Sequence, residues 1–410
     1  MFQDCGIKYR EADGGHLFSV VLAGDVCPGA EGKEMTDAGC AAEIMKPVAE
    51  FIRSADLRIV QWETPTVSKE NPIPKSGPNL NSDPETIRIV REAGFDIALL
   101  ANNHIGDHGT EGVLETLKCL HESGMKTVGA GRNLEEANRP LALSAGGKKI
   151  LLLNFAENEF GTAEENKPGV APQSPLRNLK QTRKATEEAD FVIVVLHGGH
   201  EHNPFPSPRI QEFCRAFAEA GADLVFNCHT HCPEGVEYYN GSQIVYSPGN
   251  FYFPKYSREL WNTGYLTKCS FDRLGVYKLE LLPYRFAKEY VKPLEDSERK
   301  AFEQYMERLC EPLADPEHIQ KLFEAWSTEK GRDYLVGSVK GLPENWENRL
   351  EEPEVVGQIL HLRNVFTCEA HCDMVKCYLR LIEEHRIREA AKLLPEIQAF
   401  AVPEWMAKIK

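Results

Sequence analysis

Residues 221–253 read GADLVFNCHTHCPEGVEYYNGSQIVYSPGNFYF. Within this stretch, residues 223–227 form a short apolar run bounded by small and polar residues, the pattern of a buried parallel strand. His229 and His231 stand at its carboxyl end. In extended backbone, side chains at i and i+2 project to the same side, so both imidazoles would face one point in a cleft. That arrangement suits a metal held by ring nitrogens. Two loop histidines that merely hydrogen-bond nearby backbone are the other reading, and an isolated HxH does not separate the two.

The remaining strand ends weigh on that choice. Residues 17–23 (LFSVVLA) predict a first buried strand running into Gly24-Asp25, an acid at a strand's carboxyl end, where open α/β sheets keep their sites. Residues 36–55 carry Ile44, Val48, Phe51 and Ile52 at helical spacing across Pro47. Residues 57–61 predict a second strand, followed closely by Glu63, and then a polar, proline-rich loop (SKENPIPKSGPN) long enough to cover or shape a site. Asp83-Pro84 opens a helix that Gly94 closes. A strand at 96–100 delivers Asn103-His104, and 110–123 reads as an amphipathic helix. Further buried strands are expected at 149–153 and 191–196, the second ending in His197, with a capped helix at 208–220.

Five strands thus end in Asp25, Glu63, Asn103-His104, His197 and the His229/His231 pair. Each has an ordinary reading when taken singly: a cap for Asp25, a turn former for Asn103, a satisfied buried histidine for His197. Five at one sheet edge point instead to a shared site. Oxygen and imidazole donors in this mixture suit two adjacent first-row ions such as manganese, iron or zinc. A carboxylate between two such ions can bridge them, and a shared water then becomes a hydroxide nucleophile near neutral pH.

The blocks LAGDV, VQWETPTV, FDIALLANNHIGDHG, VIVVLHGGHE and GADLVFNCHTHCPEGVEYYNGSQIVYSPGNF resemble the CapA family of poly-γ-glutamate capsule synthesis proteins, within the calcineurin-like metallophosphoesterase superfamily. The resemblance implies an α/β fold, a four-layer αββα sandwich of two sheets packed face to face with helices outside. It implies that Asp25 and His231 hold one divalent metal ion, that Asn103, His197 and His229 hold a second, and that Glu63 bridges them. His104 would face the substrate and either protonate the leaving group or steady the developing charge. Glu201 and Asn250 are expected to meet substrate.

Three positions depart from the superfamily pattern. Cys27 stands where its first motif has a histidine, so it is either a thiolate ligand favouring zinc or a buried core residue. Ile105 follows His104 where an acid is usual; Asp107 is the nearest acid and either orients His104 or caps the following helix. Lys33 is the nearest cation where an arginine is common. Cys228 and Cys232, bracketing the histidines, read as packing residues.

Hydrophobic content of 42% and charged content of 27% are those of a soluble globular protein. The 410-residue length predicts one large domain with an appendage. Residues 1–290 are expected to form the metallophosphoesterase-like domain. Residues 291–410 are expected to be a helical region, with helices at 298–310 and 368–385 and a loop at 335–355. Cys368, His371 and Cys372 share a helix face there, either as packing residues or as part of a zinc site of unusual spacing. A net charge of −15 argues against a nucleic-acid surface, and no run reaches the length of a membrane span. The first fifteen residues lack the apolar core of a signal peptide, and the twelve scattered cysteines fit a reducing compartment, so a cytoplasmic location is expected. The function expected is a metal-dependent hydrolase acting on a phosphoester or on a γ-glutamyl or cell-envelope peptide, linked to poly-γ-glutamate biosynthesis or processing. The alternative is a metal-containing assembly or binding component of a polymer-synthesis complex.

Overall fold

The computed structural model describes residues 2–255, 260–403 and 405; the last few residues of the expected helical region lie outside these. Two sheets pack face to face. The first runs in the order Gly6–Lys8, Gly275–Ala287, Thr263–Asp272, Phe18–Val26, Leu57–Trp62, Ile97–Leu99, Lys126–Val128, with Asn250–Tyr252 also pairing Phe18–Val26 and Tyr290–Pro293 pairing Gly275–Ala287. The second runs Val236–Tyr239, Ser242–Val245, Leu224–Cys228, Phe191–His197, Lys148–Ala156, Leu141–Ala145. Phe18–Val26, Leu57–Trp62, Ile97–Leu99 and Lys126–Val128 are mutually parallel, as are Lys148–Ala156, Phe191–His197, Leu224–Cys228 and Ser242–Val245.

The two-residue period of the strands decides which side chain goes where. Val20, Leu22, Ile59 and Leu99 turn inward and share one core with Ile150, Leu152, Ile193, Val195 and Phe226 of the facing sheet. The Phe18 and Phe191 rings meet edge-on across the interface at 5.3 Å. The alternate residues Val21, Ala23, Val60 and Ala98 face outward into a second core with Ile44, Val48, Ile52, Val90, Val113 and Leu120 from the covering helices. Helices Pro175–Glu188 and Pro208–Glu219 cover the other sheet with Ala185, Phe213 and Phe217. The result is the four-layer αββα sandwich.

Two expectations fail locally, each for a physical reason. The helix expected over 36–55 is broken into Gly29–Asp37, Ala41–Ile44 and Ala49–Arg53, with a 3₁₀ turn Lys46–Val48 around Pro47; proline cannot donate to a helical ladder and clashes with the preceding turn. In the carboxyl-terminal region, helices Pro316–Val339, Pro353–Thr367 and Glu369–Glu383 pack on one another and Asp296–Cys310 lies against Val236–Tyr239; much of the expected loop at 335–355 is helical. The glycines of helix Pro316–Val339, poor helix formers by themselves, are used for close packing. A Cβ at Gly337 would lie 2.7 Å from His361, and one at Gly331 would lie 2.7 Å from Tyr378. No helix among the described residues is long and apolar enough to cross a membrane.

Candidate metal centre

The five strand ends meet where the two sheets abut. They do not share one sheet: Asp25, Glu63 and Asn103-His104 leave the first, whereas His197, His229 and His231 leave the second. Close approach depends on Gly24, where a Cβ would fall 1.9 Å from the Gly249 carbonyl oxygen. A hydrogen bond then ties the sheets together, the His229 N–H donating to Asp25 Oδ2 at 3.1 Å.

The histidine pair is not presented by a pleated strand. The strand stops at Cys228, and His229 and His231 have φ of 101° and 55°. Such left-handed backbone is uncommon for non-glycine residues, costs about 1–3 kcal/mol per residue and clusters at functional sites. A strained turn, rather than i,i+2 alternation, makes the imidazoles converge.

Distances define one tight cluster. His229 Nδ1 lies 3.2 Å from His197 Nε2, which is 3.1 Å from Asn103 Oδ1 and 3.4 Å from Glu63 Oε1. His231 Nε2 is 3.8 Å from Glu63 Oε1, and its Nδ1 is 3.5 Å from Asp25 Oδ2. Glu63, His229 and His231 each bring a donor atom within 4.8 Å of the other two. Asp25 and Glu63 are fully buried, yet Asp25 Oδ1, both Glu63 carboxylate oxygens and His197 Nδ1 have no hydrogen-bond partner. Burying charge without a partner is costly, so these acceptors fit a divalent cation well. The histidines are electrostatically unlike. Burial, then His197 and His231, hold His229 well below the usual imidazole range. Burial also lowers His231, but Glu63 and Asp25 outweigh it and raise the ring to about 10.

His104 borders the cluster without joining it. Its Nδ1 contacts Asp107 Oδ2 at 2.7 Å. The Asp107 carboxylate also accepts from Lys75 Nζ at 2.6 Å and from the Leu80 N–H at 2.7 Å. Burial raises the Asp107 carboxyl, but His104 and Lys75 outweigh it and hold it below the usual carboxylate range. Asp107 therefore orients His104. The following helix, Gly109–Glu122, has no side-chain cap.

Other residues are placed elsewhere. Cys27 packs in the outer core, and burial, opposed by Thr64 and reinforced by Glu63, pushes its thiol up to about 12. Asn250 is fully buried, its Oδ1 2.8 Å from His231 Nδ1 and its Nδ2 donating to the Trp261 carbonyl at 3.2 Å; it steadies the ring and does not line the cleft. Glu201 does line the cleft. Lys33 pairs with Asp37 on the surface. Cys228 lies in the core between the sheets, and Cys232 Sγ contacts the Asn203 carbonyl at 3.2 Å. Cys368 sits 3.7 Å from Glu157 Oε2 and His371 stacks on Tyr334. Among the described residues no donor group other than Glu63, His229 and His231 converges in this way.

A cleft of about 370 Å³ opens above the cluster. One side carries Lys75, from the proline-rich loop, with Asn103, His104 and His231; the other carries Tyr334, His361, Asn364 and His371 from the added helices. Those helices are pinned in place. Arg209 pairs with both Glu157 and Asp373, the Asn158 N–H donates to Glu369 Oε2 at 2.9 Å, and His200 Nε2 meets the Ala370 carbonyl at 2.9 Å. Burial lowers His200 to about 4, so this second histidine of HGGHE is a neutral packing residue. The loop containing Lys75 was visible in sequence as a cover, but the helical wall had no local signal.

The capsule biosynthesis protein CapA of Bacillus anthracis is 30% identical over 257 residues, covering 60% of this chain and 62% of that protein. The PGA biosynthesis protein CapA of Bacillus subtilis (strain 168) is 30% identical over 241 residues, covering 58% and 63%. The chain thus spans about three-fifths of the length of these curated relatives. The crystal structure of TT1561 of Thermus thermophilus overlaps 63% of this chain and 99% of its own at 12% identity, with a TM-score of 0.34 that supports no conclusion. The family described as bacterial capsule synthesis protein PGA_cap matches residues 19–255, more than half of the chain, and the chain belongs to that family.

Proposed function

We propose that this chain is a metal-dependent hydrolase whose substrate is a phosphoester or a γ-glutamyl or cell-envelope peptide, acting in poly-γ-glutamate synthesis or processing. Residues 1–290 would be the hydrolytic unit and 291–410 its helical wall. One observation carries the reading: two fully buried acids, three of whose four oxygens lack hydrogen-bond partners, set among three imidazoles. Asp25 and His231 would hold one divalent ion, Asn103, His197 and His229 a second, with Glu63 shared. Ions of this kind supply Lewis acidity and an acidified water.

The chain's own groups do the rest. Asp107, held ionised by His104 and Lys75, fixes the His104 ring through Nδ1, so that a proton on Nε2 would face the cleft. That proton would pass to the departing group as its bond breaks. Asn250 holds the His231 ring in one orientation, the outer-shell support that ligating histidines usually have. The helical wall and the Lys75 loop restrict water around the reacting group.

Elemental analysis of the purified protein is expected to find two manganese, iron or zinc ions per chain, or uptake of two on titration. No uptake of any of them would remove the basis of the reading. The relatives' names speak of biosynthesis, which a non-catalytic assembly component would also serve; the His104 experiment below separates the two.

A further inference from the structure

On the reading that the donor cluster takes the scissile group, we propose that the outer half of the cleft is a subsite for a primary ammonium group on the substrate. The cleft lining includes two acids as well as Lys75, Lys255 and several histidines. Glu159 and Glu201 line it, and among the described residues neither has an ion-pair partner. Burial, partly offset by Lys75 and reinforced by Glu201, pushes Glu159 up to about 8, as for a carboxyl lacking a cation. Both acids line the same cleft as Tyr334 and act electrostatically on its phenol; they come from different strand-end loops.

A second observation comes from the facing helix. Asn364 lines the cleft and is only 7% exposed, yet its Oδ1 has no hydrogen-bond partner. Buried amide oxygens are almost always satisfied, so this one is short of a donor. Lys75, the cation nearest Glu159, is committed to Asp107. An ammonium group supplies three donors and a positive charge, which matches the Glu201 carboxylate, an amide oxygen and a Glu159 carboxyl that the bound cation would help to ionise. The chain's net charge of −15 also favours a substrate carrying positive charge over a pure polyanion. Tyr334 and Asn364 lie outside the residues matched to the family, 19–255, so the preference belongs to this chain's own helical wall. The substrate class implied is an amino-acid or peptide derivative with a free amine a few bonds from the scissile group.

Two isosteric, non-hydrolysable probes test this by calorimetry on metal-loaded protein: 2-aminoethylphosphonate and propylphosphonate. The aminated probe is expected to bind at least about tenfold more tightly, the lower end for a charged hydrogen bond. In Glu201→Gln and in Asn364→Leu that ratio should fall towards one, while propylphosphonate affinity and metal content stay unchanged, which also certifies folding. Equal affinities in the wild type, no binding of either probe to loaded protein, or a ratio that survives both substitutions would overturn the subsite and leave the metal centre standing. If the protein takes up no metal, the hydrolase reading fails separately. Propylammonium is then titrated alone by saturation-transfer NMR: binding that Glu201→Gln abolishes supports the subsite, and no binding overturns it.

Discussion

Replacing His104 by asparagine is expected to lower turnover by about a hundred- to ten-thousand-fold, the usual worth of a general acid, while metal content and probe affinity stay nearly unchanged. The separation follows from geometry. The His104 Nδ1 is taken by Asp107 at 2.7 Å, and the imidazole borders the donor cluster without supplying an atom to it. Its proton is needed only as the leaving group departs, so an effect confined to kcat is the signature of an interaction made in the transition state. Turnover within a few-fold of wild type would show that His104 is not the acid. A wild type that turns over neither phosphodiesters nor γ-glutamyl peptides, though loaded with metal, would put the binding-component reading ahead.

Glu63→Gln is expected to have the second largest effect, loss of most bound metal at both positions. Glu63 is fully buried and lies 3.4 Å from His197 and 3.8 Å from His231, within reach of a proposed donor to each ion. Glutamine keeps the volume but removes the charge and turns one acceptor into a donor. Wild-type protein at a metal concentration a thousand times its Kd gains about 4 kcal/mol of stability by mass action, so adding metal should raise its thermal midpoint and leave the variant's almost unmoved. Two ions per chain retained in Glu63→Gln would disprove the bridging role.

Much of this was legible in sequence because chemistry and periodicity coincided. Parallel strands buried on both faces announce themselves as apolar runs, and each ended in a donor that the folded chain brings within a few ångströms of another, such as His197 beside Asn103. The sheet assignment was harder. A residue at a strand end looks the same whether its strand lies in one sheet or the other, and only the resemblance implied two. The positive φ at His229 and His231 left no trace in composition, since histidine carries no signal comparable to glycine's. Lys75 was legible as part of a cover but not as the partner of Asp107, because loop conformation is set by tertiary contacts. Tyr334, Asn364 and His371 lie far along the chain from the donors, and no periodicity relates residues at that separation.

The pinning of the helical wall bears on the order in which the molecule opens. Its ties to the sandwich join residues 211 apart for Asn158 and Glu369, 170 apart for His200 and Ala370, and 164 apart for Arg209 and Asp373. Closing such long loops is entropically expensive and slow compared with forming neighbouring strands. The wall is held to the sandwich by a few side-chain ties, whereas Phe191–His197 and Leu224–Cys228 are laddered on both sides, so the wall should open first when the native state fluctuates. In native-state hydrogen exchange, amides of Glu369–Glu383 are expected to exchange through a lower-energy opening than those of Phe191–His197 and Leu224–Cys228. Equal protection in both would mean that wall and sandwich form a single cooperative unit.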